Sequence, residues 1–130
     1  MSLESILDLR YEGGVYADPD TITDIGRVLQ NENSRAVAAS IVVCQRPALL
    51  CGFTVSSIAA QFIQVFDAGA LPADTAVPLI VFAVGATSVM SASFLPYPRS
   101  FRNGIVLCNS STQHTKTIGT ADCIFDVQFI

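Results

Sequence analysis

Between Pro47 and Phe66, and again between Thr75 and Pro98, the chain carries no charged side chain, for twenty and twenty-four residues in turn. A stretch of that length either crosses a bilayer as a helix or is covered by other protein. Its polar residues decide between the two. The first window holds Gly52, Thr54, Ser56, Ser57, Gln61 and Gln64, and the second holds Pro78, Gly85, Thr87, Ser88, Ser91, Ser93 and Pro96. Neither is flanked by the Lys/Arg bias that orients a spanning helix. The period is two: Leu49, Cys51, Phe53 and Val55 alternate with Leu50, Gly52, Thr54 and Ser56, and Met90, Ala92 and Phe94 alternate with Ser91 and Ser93. That is the pattern of strands with one packed face and one lighter face.

The same alternation is cleanest near residue 130, where Cys123, Phe125, Val127 and Phe129 oppose Asp122, Asp126 and Gln128. Residues 77–84 are apolar on both faces and read as a strand covered on both sides, with Pro78 restricting it to a strand end or an edge. Adding residues 36–44, 60–67 and 104–109 gives about seven short strands separated by turn-rich pieces, with no long helical run between them. The predicted fold is all-β, a single antiparallel β-sandwich or jelly-roll-like barrel with an N-terminal extension.

Composition narrows the function classes. A chain that is 51% hydrophobic and 14% charged has enough apolar surface for a core and is not disordered. Seven Lys+Arg against eleven Asp+Glu, net charge −4, give no electrostatic basis for nucleic acid or for an anionic membrane surface as partner. The acids are concentrated at the start: residues 1–32 hold seven of them and two arginines. The chain therefore divides into an acidic N-terminal arm, 1–35, and a β-sandwich domain, 36–130. Within the arm, Ser2 can cap one or two helical turns, and Asp18-Pro19-Asp20 can open a second short helix through Leu29. The segment either packs on the sandwich or reaches a partner, in which case Leu3, Ile6, Leu7, Tyr11 and Tyr16 are the anchors that a groove would bury. Met1-Ser2-Leu3-Glu4 lacks the basic and apolar regions of a secretory signal, so synthesis in the cytoplasm with free thiols is the expectation.

Catalytic chemistry is poorly provided for. His114 is the single histidine and sits in the polar run Ser110–Thr117, a hairpin tip with no inferred pocket around it. Cys44, Cys51, Cys108 and Cys123 form no C-x-x-C pair, which removes zinc-ribbon and thioredoxin-like readings. They read as buried apolar thiols, although Cys108 and Cys123 flank the last predicted hairpin, where a cross-strand disulfide is allowed but not implied. Asn109-Ser110-Ser111 matches a glycosylation sequon and reads as turn sequence. No metal, cofactor or catalytic constellation is expected, and the chain is not predicted to be an enzyme.

Several segments carry a resemblance: the pair 48–57 and 60–67, with Gln61-Phe62-Ile63-Gln64-Val65-Phe66-Asp67 followed by Ala70-Leu71-Pro72-Ala73-Asp74; Val77-Pro78-Leu79-Ile80-Val81; Phe101-Arg102-Asn103-Gly104-Ile105-Val106-Leu107; and the closing 122–130. Over about two-thirds of its length the chain resembles the small β-sandwich decoration, or cement, proteins of tailed-bacteriophage capsids. The resemblance implies a structural virion protein on the capsid exterior, made in the host cytoplasm, assembling as a homotrimer and binding the major capsid protein. A tail, neck or fibre component of the same kind of particle is the alternative. A small membrane-active protein such as a holin, using the two uncharged windows as helices, is the second. The acidic arm has no counterpart in the resemblance.

Overall fold

The computed structural model describes residues 29–130. The short helices and apolar anchors expected in the arm lie outside these residues. Among the described residues there is no helix, and the nine strands are β1 (Gln30–Asn33), β2 (Ser40–Cys44), β3 (Ala48–Ser57), β4 (Gln61–Phe66), β5 (Ile80–Val84), β6 (Ser88–Ser93), β7 (Arg99–Phe101), β8 (Ile105–Ser110) and β9 (Cys123–Phe129). They form two antiparallel sheets, ordered β1-β9-β3-β6, with β7 also on β3, and β2-β8-β4-β5. The pairs nest: β1 with β9, β2 with β8, β3 with β6 and β7, β4 with β5. That is one long hairpin rolled over itself into two facing sheets, the jelly-roll arrangement. The expected all-β sandwich is present, with nine strands where about seven were predicted.

The core lies between the sheets. Leu50, Phe53, Val55, Phe125 and Val127 from one sheet face Ile63, Val65, Ile105 and Leu107 from the other, all at most 1% exposed. Phe82 meets Phe53 edge-on at 5.3 Å between ring centroids, joining β5 to β3 across the sandwich. Strand β9 keeps the predicted alternation, with Cys123, Phe125, Val127 and Phe129 inward. Strand β3 does not keep it throughout. Ala48 and Leu50 point inward, as do Phe53 and Val55, and the phase changes at a bulge where the register with β9 slips between Leu50 and Gly52. The extra residue, Cys51, is buried outside the core cluster, as one residue inserted into a period of two requires.

Two sequence expectations are corrected. Residues 30–33, given to the arm, form β1 and pair with Asn33↔Asp126 through Gln30↔Phe129, so the sandwich begins before residue 36. Their composition, Gln-Asn-Glu-Asn, disfavours a strand. The amide nitrogens of Asn31 and Asn33 hold it in place by donating to Asp126 Oδ1 at 2.8 and 3.1 Å. Residues 77–84 are not covered on both sides: Val77 and Leu79 are 75% and 51% exposed, and β5 begins only at Ile80, as an edge strand. Here Pro78 precedes the strand, consistent with its missing N–H.

Candidate functional site

The predicted anchors Leu3, Ile6, Leu7, Tyr11 and Tyr16 lie outside the described residues. The body itself presents three features that bear on function: a buried polar cluster at one end, a pair of loops locked over the outer face of one sheet, and an uncharged segment with exposed apolar side chains.

The polar cluster closes the end where β3 and β8 finish and β4 and β9 begin. Gln61 Nε2 donates to Asp122 Oδ1 at 2.7 Å and to Ser57 Oγ at 2.8 Å, and it lies 3.1 Å from Cys123 Sγ. Asn109 Nδ2 donates to the Thr120 carbonyl at 2.7 Å, and its Oδ1 accepts the Gly119 N–H at 2.9 Å. Burial alone would raise the Asp122 carboxyl, but hydrogen bonds from Gln61, Cys123, Thr120 and Asn109 outweigh it and hold the group below the usual carboxylate range. Burial pushes the Cys123 thiol up, and the Asp122 charge beside it acts in the same direction. A thiol held protonated is a poor nucleophile. His114, the single histidine, lies on the exposed part of the 111–118 loop instead. Beside the cluster is an open hollow of about 590 Å³ lined by Gln61, Phe62, Val84, Gly119 and Asp122 among others. Asn109, the sequon residue, is fully buried.

The loops 67–79 and 111–122 cover the outer face of the second sheet, which is why every residue of β8 is buried. Val106 and Cys108 pack there with Phe66 rather than in the main core. Lys116, in a run that reads as solvated, is buried and places Nζ 2.6 Å from Asp74 Oδ1. The loop backbones also pair, Thr75 N–H to the Lys116 carbonyl and Lys116 N–H to the Ala76 carbonyl, each at 2.8 Å. Below them Gln64, fully buried on β4, donates through Nε2 to the carbonyls of Thr112, Gln113 and Thr115 at 2.9, 3.1 and 3.0 Å. No local pattern marks this latch, since Asp74 and Lys116 are 42 residues apart.

The Cys108–Cys123 disulfide that the sequence allows is not made, because β8 and β9 belong to different sheets and are not a hairpin. Cys108 points to the loop-covered face and Cys123 into the core. All four cysteines are free thiols, and burial raises Cys51 and Cys123 and lifts Cys108 to about 11. Only Cys44 is partly exposed. An aromatic disulfide reagent at mildly alkaline pH should therefore modify one thiol per native chain rapidly, and the other three only after denaturation. Fewer than four thiols titrating in denatured, unreduced protein would restore the disulfide.

The uncharged 75–98 segment turns outward Val77 at 75% exposure, Leu79 at 51%, Val89 at 65%, Leu95 at 47% and Tyr97 at 85%. It runs through β5 and β6, each the edge of its sheet. Both uncharged windows are thus strands, and no helix among the described residues is long and apolar enough to cross a membrane. No family model, curated protein or solved structure matches the chain.

Proposed function

We propose that this chain is a structural virion protein, a capsid decoration (cement) protein that binds and stabilises an assembled shell on its exterior, with no catalytic role. The supporting observation is the uncharged, outward-facing 75–98 segment. Five large apolar residues stand out from one 24-residue stretch without a charge, and the stretch runs through β5 and β6, each the edge strand of its sheet. Independent proteins protect such edges with Lys, Pro or bulges, and apolar patches of this kind are normally covered by a partner. A body whose edges adhere to neighbouring subunits, repeated as trimers over a lattice, gains stability through many modest contacts. The anchors Leu3, Ile6, Leu7, Tyr11 and Tyr16 would extend the same attachment onto the adjoining major capsid protein subunits.

The experiment is sedimentation of the full chain with expanded shells of its own particle, alongside a chain lacking residues 2–28 and a Val77→Glu/Leu79→Glu chain. The deletion stops before Gln30 because β1 belongs to the sandwich. The full chain should be trimeric and pellet with the shells. Both variants should keep a β-type circular dichroism spectrum and lose occupancy. A full chain that stays monomeric and ignores the shells would defeat the proposal, and full retention after the deletion would remove the arm from it.

A further inference from the structure

We propose that the acidic segment 1–28 docks, through its carboxylates, on the arginine-bearing end of its own sandwich, at the point where β1 starts. Arg46 lies two residues before the first residue of β3, Arg99 opens β7 and Arg102 follows it. Strand β7 lies against the start of β3, with Leu50↔Arg99 and Ala48↔Phe101 in register, so the three arginines share one end of the body. All three are exposed. The Arg46 guanidinium lies 5.7 Å from the centre of the Phe129 ring, and Phe129 pairs with Gln30, so the chain enters β1 beside it.

Of the five acids among the described residues, four are engaged by other groups and the fifth, Glu32, stands exposed on β1. Among the described residues the one ion pair is Lys116–Asp74. Asp122 is occupied by Gln61, Asn109 and Thr120 at the other end. Asp126 is occupied by Asn31, Asn33 and Gln128. Asp67 is the acid nearest the arginines, and its oxygens accept the backbone N–H groups of Arg102 and Asn103 at 2.8–3.2 Å. Against the three arginines, Asp67 and Glu32 together still leave that end net positive by one charge.

The complementary charge is in the segment that joins there: residues 1–28 contain Glu4, Asp8, Glu12, Asp18, Asp20 and Asp24 against Arg10 and Arg27, net −4. Asp24 is six residues from Gln30, a reach of at most about 20 Å. The tether sets a local concentration on the order of millimolar. Single surface ion pairs are weak, and it is the tether that lets several of them add. The inference concerns the isolated chain and stands whether or not the particle reading does.

The test is amide NMR of the full chain without shells. Three states are compared: about 50 mM salt, about 1 M salt, where screening shortens to roughly 3 Å, and a low-salt variant with all six acids neutralised (E4Q/D8N/E12Q/D18N/D20N/D24N). The amides of residues 46 and 99–102 should shift in the same direction in high salt and in the variant, while those of 57–61 and 119–122 stay in place. In the reciprocal variant R46Q/R99Q/R102Q, the amides of residues 18–24 should move. Unchanged amides at 46 and 99–102 in the acid-neutralised chain would overturn the proposal, and no refolding artefact can mimic this because every substitution is outside the sandwich. Shifts that disappear on dilution would assign the contact to a second copy and overturn docking on the same body.

Discussion

Gln64→Glu should lose roughly 3–4 kcal/mol of stability at pH 7 while remaining close to the wild type near pH 4. The substitution preserves shape. One oxygen replaces Gln64 Oε1, which is buried with no hydrogen-bond partner. The other takes the place of Nε2, which faces the carbonyls of Thr112, Gln113 and Thr115 within 3.1 Å. A carboxylate there would be buried against three acceptors, so the folded chain holds the group as a protonated acid that donates to one of them. Its folded pKa is then above its unfolded value of about 4.3, and each unit of difference is worth about 1.4 kcal/mol. The stability of the variant is fully present below that unfolded value and is lost as pH rises toward the folded one.

The wild-type chain should run in the opposite direction. Asp67, Asp74, Asp122 and Asp126 are all held below their ordinary 3.8. Their contribution is present above that value and is lost as pH falls below it. Urea midpoints measured at pH 4 and pH 7 check the first sign, and a further midpoint at about pH 2.5 checks the second. Gln64→Met, which removes the donor without adding a charge, should cost less at pH 7 and show no added pH dependence. A Glu variant as stable as wild type at pH 7 would mean that the 111–118 loop does not sit on Gln64.

What could be read in advance follows from how many faces of each strand are buried by one kind of neighbour. Strand β9 was legible because its inner face meets the core and its outer face carries Asp126 and Gln128. In β3 the segment Leu49-Leu50-Cys51 is apolar in either phase, so no pattern could locate the bulge. Strand β8 is buried on both faces, one by the opposite sheet and one by loops, and the second cover is a tertiary fact with no period. Strand β1 had the least signal, since its residues disfavour strands and its order comes from Asp126, more than ninety positions away.

The polar clusters were hidden for a related reason. Gln61 and Gln64 occupy what looks like the wet side and the end of an alternating strand, and Lys116 sits in a run of hydroxyls and amides. Each is enclosed by chain distant in sequence, so type and spacing carry no trace of it. The exposed apolar side was legible only in part. A segment without charge announces that it is covered, but alternation cannot say whether the cover is the same chain or another, and Val77 and Leu79 proved to face outward.

Gly104→Ala is the other substitution expected to be severe, with a loss of about 3 kcal/mol or more. Gly104 has φ +148, a conformation that side chains rarely adopt, and it is buried between β7 and β8. A Cβ there would lie 2.4 Å from the Cys44 carbonyl oxygen and 2.6 Å from that of Ala68. Both are backbone atoms, and neither can rotate away. Cys44 ends β2, and Ala68 follows Asp67, whose carboxylate accepts the Arg102 and Asn103 N–H groups and so pins the turn from the other side. Relief requires the end of β2 to separate from β8, or the 67–79 loop to lift from its sheet and strain the Asp74–Lys116 latch. Gly69→Ala, in the 67–79 loop that meets this turn, is the control, because its nearest contact would be the Asn103 carbonyl oxygen at 3.4 Å, an ordinary approach. The urea midpoint should fall sharply for the first substitution and hardly move for the second, with the slope unchanged in both. Equal midpoints for Gly104→Ala and wild type would show that β2, β8 and the 67–79 loop do not meet at Gly104, and the rolled hairpin would lose the closure that sets Arg102 beside β3.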